Sequence, residues 1–138
     1  MHADPKSARR FFDACESGKG WDACRAYCHP DATFSAQSHA LEEISTVEGY
    51  CDWMQAICTT MPDANYDLRF FGVDESGDSV AAVAVFKGTH TAEGGPVPPT
   101  GKSVASDYAY LMLFDDGRIR HMTKVWHDGI ALQQAGWA

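Results

Sequence analysis

The spacing of apolar residues changes once along this chain, near residue 64, and that change limits what it can fold into. Before it, apolar side chains recur at helical intervals. Ala8, Phe11, Phe12 and Cys15 predict a first helix, and Trp21, Cys24 and Cys28 a short second one after the breaker Gly18-Lys19-Gly20. Val47, Tyr50, Cys51, Met54, Cys58 and Met61 predict a third, with Ser45 or Thr46 as cap and Pro62 as stop. One short strand is expected at about 33–37. After residue 64 the pattern is that of strands: 66–73, a turn at 75–78, 80–90, 102–114 and 119–127, with Asp116-Gly117 as a two-residue hairpin signal. A brief closing helix starts at Gly129. Helices followed by a meander predict an α+β fold, in which three N-terminal helices pack against a curved, mostly antiparallel sheet that encloses a pocket.

Nothing divides the 138 residues internally, so one domain, 1–138, is expected. Eleven Lys plus Arg against nineteen Asp plus Glu give a net charge of −8, which argues against nucleic acid and anionic membrane surfaces as partners. No run approaches the ~20 apolar residues of a spanning helix, and MHADPKSARR has no apolar core of a secretory signal, so a cytoplasmic location is expected. Five cysteines, an odd number, fit that expectation. Cys24, Cys28 and His29 could in principle meet a zinc ion, but no second Cys or His pair accompanies them. Cys51 and Cys58 share a stripe with Met54 and Met61, so core thiols and no metal are the expectation.

The strands are where chemistry is expected. The segment THTAEGGPVPPTG holds three Pro and three Gly in thirteen residues and must arch over something. His90, just before it, would stand at a pocket rim or under a lid. If Asp116-Gly117 makes a regular two-residue turn, Tyr108, Tyr110, Met112 and Phe114 share a face with Ile119, His121, Thr123 and Val125, and His127 continues it. A bulge would shift that register by one and mix the two faces. Tyr110, His121 and His127 could then move a proton near neutral pH and donate to an oxyanion, although such rings also serve simply as sheet core. His2, His29 and His39 stay outside any mechanism.

The run FKGTHTAEGGPVPPTGK, then FDDGRI, Trp126 to Asp128 and LQQAG together resemble the SnoaL-like polyketide cyclases of the nuclear transport factor 2-like superfamily. That fold hosts cyclases, isomerases, dehydratases, epoxide hydrolases and non-catalytic modules. Carried across, the carboxylate base of the ketosteroid isomerases falls on Ala36 and their tyrosine donor on Phe12, while their acidic donor falls near Tyr110. The Arg-x-Asp pair of the epoxide hydrolases is missing. The cyclases' acidic base, near the end of the last strand, falls on His127, or on Asp128 with a one-residue shift. The resemblance therefore implies a cofactor-free acid/base enzyme, cyclase or isomerase in type, for a small apolar carbonyl compound, and a homodimer formed through the sheet. Its catalytic residues would be His127 or Asp128 with Tyr110 and His121. His90, Tyr108, Met112, Phe12, Trp53 and Trp126 would contact the ligand. The alternative is a binding or accessory domain of the same fold that has lost its base.

Overall fold

The computed structural model describes residues 3–138; His2 lies outside the described residues. The expected α+β order is observed: α1 (Pro5–Glu16), α2 (Trp21–Cys24), β1 (Cys28–Ala36), α3 (Val47–Thr60), β2 (Asn65–Val73), β3 (Ser79–Thr89), β4 (Ser103–Asp115), β5 (Arg118–Trp126) and α4 (Asp128–Ala135). The strands form one sheet in the order β1-β5-β4-β3-β2, antiparallel except where β1 lies parallel to β5.

Local chemistry fixes the helix ends. Pro5 opens α1 and the Asp4 carboxylate accepts from the backbone N–H groups of Lys6 and Ser7. Just past its last residue, Gly18 has φ +70°, and a Cβ there would lie 2.4 Å from Cys58 Cβ, so only glycine lets α1 stop against α3. The Thr46 hydroxyl accepts from Gly49 N at 3.1 Å to start α3. At the β4–β5 turn, Asp116 (φ 53°) and Gly117 (φ 74°) are both left-handed, as a type I′ hairpin requires.

Burial alternates strictly along β4, where Val104, Ser106, Tyr108, Tyr110, Met112 and Phe114 face inward. Tyr108, Tyr110, Met112 and Phe114 meet Phe11, Phe12 and Cys15 of α1 and Tyr50, Cys51 and Met54 of α3 in one core, and Val104 packs with Met61, Ala131 and Ala135 in a second, smaller one. Fully burying each large apolar side chain contributes about 1.5–3 kcal/mol.

The expected register of β5 is corrected. The turn pairs Asp115 with Arg118 and Phe114 with Ile119, as expected, but the next pair is Leu113 with His121, so Arg120 is an extra residue. This bulge advances every later residue by one and exchanges the two faces of the strand. Met122, Lys124 and Trp126 now stand opposite Met112, Tyr110 and Tyr108 on the inner face, while His121, Thr123 and Val125 turn outward.

Candidate active site

Inward-facing β4 and β5, capped by α3 and α4, leave a largely apolar pocket. Its walls come from Trp53, Met54, Ile57 and Met61 of α3, Phe86 of β3, Val104 and Tyr108 of β4, Trp126 of β5, and Ala131, Leu132, Ala135 and Trp137 at the C-terminal end. Its polar side chains are Glu16, Lys124, Tyr108 and Ser106. The Ser106 hydroxyl is already occupied, accepting from Trp126 Nε1 at 2.8 Å.

Glu16, the last residue of α1, is 1% exposed, and Lys124 is 5% exposed. A hydrogen-bond chain runs between them. Lys124 Nζ donates to Tyr50 Oη at 2.8 Å, Tyr50 Oη lies 2.6 Å from Tyr110 Oη, and the Tyr110 hydroxyl donates to Glu16 Oε2. Removing a carboxylate and an ammonium from water costs several kcal/mol each. The hydrogen bonds offset part of that cost, and aromatic rings offset more. Lys124 Nζ lies 4.4 Å from the Trp126 ring centroid, 5.0 Å from Tyr50, 5.1 Å from Tyr108, 5.5 Å from Trp53 and 5.9 Å from Tyr110.

Burial determines how these groups titrate. It raises the Glu16 carboxyl above its ordinary 4.5, with the Lys124 charge and the Tyr108 and Tyr110 hydroxyls opposing the rise. It depresses Lys124 from 10.5 to about 8, with Glu16 opposing. It also pushes the Tyr50, Tyr108 and Tyr110 phenols upward, so all three remain hydrogen-bond donors. The Tyr108 hydroxyl is close enough to the carboxylate to affect it, yet it has no hydrogen-bond partner although it is buried. An unsatisfied buried hydroxyl costs about 1–3 kcal/mol, a cost that a ligand's acceptor oxygen in the pocket would relieve.

Of the residues expected at the site, Trp53, Tyr108 and Trp126 line the pocket. Tyr110 stands behind them in the hydrogen-bond chain. Phe12 and Met112 are wholly buried core and do not line the pocket; Phe12 packs edge-on to Tyr110 with ring centroids 5.1 Å apart. His90 is buried under the Pro/Gly loop, where its Nδ1 accepts from Trp137 Nε1 at 2.9 Å and from Thr100 N at 3.4 Å. Two donors on Nδ1 leave the proton on Nε2, and the ring ties loop and C-terminus together at the pocket's edge.

The three residues expected to drive the chemistry point elsewhere. His121 lies on the outer sheet face, with Nδ1 2.6 Å from Thr33 Oγ1 and Nε2 3.0 Å from Ser35 Oγ, because the Arg120 bulge turned it out. His127 is exposed at the start of α4, where Nδ1 accepts from Ile130 N at 3.4 Å. Asp128 accepts from Ala40 N at 2.8 Å and is a structural clasp; backbone donors and Ser38 hold its carboxyl below the usual value against the opposing effect of burial. Both border a larger, more open recess, which Tyr108, Lys124 and Trp126 also line, rather than the pocket. No dyad between them and Tyr110 exists.

Glu16, Tyr50 and Lys124 were not among the residues expected at the site, yet signals were present. Glu16 continues the apolar stripe of Ala8, Phe12 and Cys15 at helical spacing, and Lys124 alternates with Met122 and Trp126. Among the described residues, one group could ligate a soft metal: Cys15, Cys24 and Cys51, whose sulfurs all lie within 4.8 Å of one another. It does not include Cys28 or His29. Burial holds the Cys15 thiol well above its ordinary pKa, while hydrogen bonds with Cys15 and Cys51 bring Cys24 down to about 4; all three are buried.

Comparison with known structures agrees with this geometry. IdmH from Streptomyces antibioticus, a candidate polyketide cyclase, is 26% identical over 96% of this chain and 99% of its own, with a TM-score of 0.76. A candidate SnoaL-like polyketide cyclase from Jannaschia sp. CCS1 is 22% identical over 96% and 90%, with a TM-score of 0.75. A Catenulispora acidiphila protein with a ketosteroid isomerase-like fold, solved in complex with trimethylamine, is 18% identical over 99% and 96%, with a TM-score of 0.71. No curated protein matches the sequence. The family model described as SnoaL-like polyketide cyclase matches residues 6–135, so the chain belongs to the SnoaL-like polyketide cyclase family.

Proposed function

We propose that this protein is a cofactor-independent acid/base enzyme, cyclase or isomerase in type, acting on a small apolar carbonyl compound, with Glu16 as the proton-transferring group. The observation that carries the proposal is the meeting of a desolvated carboxylate, an ammonium and an unpartnered phenol at one apolar pocket. Glu16 removes a proton alpha to the substrate carbonyl. The Tyr108 hydroxyl and the Lys124 charge stabilise the enolate oxygen, and the walls exclude water that would weaken both. The enolate then attacks a second carbonyl of the same molecule or is reprotonated at another carbon.

The proposal extends to a second copy of the chain on the outer sheet face, where Val83, Leu111, Leu113 and Val125 are exposed together, and to a cytoplasmic setting. No helix among the described residues is long and apolar enough to cross a membrane.

A binding-only reading has one observation in its favour: Glu16 already accepts a hydrogen bond from Tyr110 and so is partly satisfied without substrate. Exchange of the alpha protons of 1-tetralone in deuterium oxide, followed by NMR, separates the two readings. Exchange by the wild-type protein that is lost in Glu16→Gln supports catalysis. Binding of the ketone without exchange supports the accessory reading.

A further inference from the structure

We infer that Lys124 is a nucleophilic amine that captures carbonyl compounds in the pocket as an imine, a covalent activity additional to proton transfer. The inference rests on the reading that the pocket takes carbonyl compounds. It begins from what the other pocket groups leave unused. The chain has five lysines; Lys6, Lys19 and Lys102 are exposed, and Lys87 is half-buried in an ion pair with Asp67 at 2.7 Å. Lys124 alone lines the pocket, at 5% exposure, where its Nζ has a single hydrogen-bond acceptor, Tyr50 Oη. One N–H is used there, which leaves the other N–H and the lone pair of the neutral amine unassigned at the pocket.

The rings of Trp53, Tyr108 and Trp126 hold the side chain in place, so the amine is positioned before any carbonyl arrives. The groups facing it from the packed elements are Glu16 and Cys15 from α1, Tyr50 from α3 and Tyr108 and Tyr110 from β4. Of these, Glu16 and, after it, Cys15 favour the ammonium, and desolvation outweighs them. At pH 7.5 roughly two hundred times more of Lys124 than of an exposed lysine is therefore free amine.

The step balances within these residues. The Lys124 nitrogen lone pair forms a C–N bond to the carbonyl carbon, and a nitrogen proton moves to the alkoxide to give the carbinolamine. Glu16, which receives a proton from the Lys124 ammonium through Tyr50 and Tyr110 as the amine is freed, donates it to the departing hydroxyl, water leaves, and the nitrogen lone pair completes the iminium. The resulting Glu16 carboxylate sits beside the more acidic alpha proton of the iminium, and its removal gives an enamine. No oxidant or cofactor enters.

The test is reductive trapping. The intact wild-type protein is incubated with benzaldehyde and sodium cyanoborohydride at pH 7.5, binding is followed by tryptophan fluorescence, and modified lysines are located by peptide mass spectrometry. One benzyl group on Lys124, at least tenfold in excess of any other lysine, is expected. Its rate should rise with pH to a plateau above about 8, while exposed lysines keep gaining reactivity. Quenching of the pocket tryptophans with label only on Lys6, Lys19, Lys87 or Lys102 overturns the inference. Persistent 1-tetralone exchange with no Lys124 adduct would leave Glu16 chemistry standing and remove the imine. Loss of both, with no binding, would remove the carbonyl reading itself. Lys124→Arg, which keeps the cation without the nucleophile, should show no adduct.

Discussion

On the outer face of β5, His121 shares hydrogen bonds with Thr33 and Ser35 in a rim open to water. Three residues further along, on the inner face, Lys124 is sealed among five aromatic rings and wired through two tyrosines to Glu16. Histidine is the residue whose free pKa suits neutral pH, and in this strand it is structural. Lysine and glutamate are the ones burial moves toward neutrality from opposite sides. What a side chain can do here is set by which face it occupies, and one inserted residue, Arg120, decides the face.

Deleting Arg120 should break that arrangement most severely. Without the bulge, Met122, Lys124 and Trp126 turn outward and His121, Thr123 and Val125 turn into the core, so loss of the cooperative thermal transition is expected by circular dichroism. A variant that melts as the wild type does would show that the register tolerates slippage. Next in size is Glu16→Gln, which keeps the shape and removes the base; turnover of an exchangeable ketone should fall roughly 10²–10⁴-fold.

Lys124→Met sharpens the electrostatic half of the comparison. Because the folded-state pKa of Lys124, about 8, lies below its ordinary 10.5, its contribution to stability is present at high pH and lost as pH falls through 8. Between pH 8 and 9, wild-type stability relative to Lys124→Met should therefore rise with pH, by at most about 1.4 kcal/mol per unit. Paired denaturant melts measure this. A flat difference would mean that the amine is solvated.

On the other face the effects are small. His127→Ala removes the α4 cap and should cost about 1 kcal/mol with turnover unchanged. His121→Ala should fall within about 0.5 kcal/mol.

The architecture was legible because its signals are local. The Thr46 cap, the Pro62 stop and the Asp116-Gly117 turn each act within a few residues, and all three stand where the pattern put them. The site was legible only in part. Tyr108, Trp53 and Trp126 were read as pocket residues and line it, whereas His121 and His127 were placed by counting along a strand whose register a single bulge had shifted, and Asp128 came from the family resemblance alone. A bulge leaves no firm mark in one sequence, since Arg120 is an ordinary exposed residue. Glu16 escaped for a different reason. A charged residue ending a helix normally reads as solvated, and its burial depends on Lys124, Tyr110 and Tyr50, which reach it from distant parts of the chain.

The central claim is that proton transfer belongs to the inner face. Deuterium exchange into 1-tetralone, measured by NMR for wild type, Glu16→Gln and His127→Ala under one set of conditions, tests it most directly. The account predicts exchange in the wild type, unchanged exchange in His127→Ala and loss of at least a hundredfold in Glu16→Gln. Exchange that survives in Glu16→Gln and vanishes in His127→Ala would contradict it.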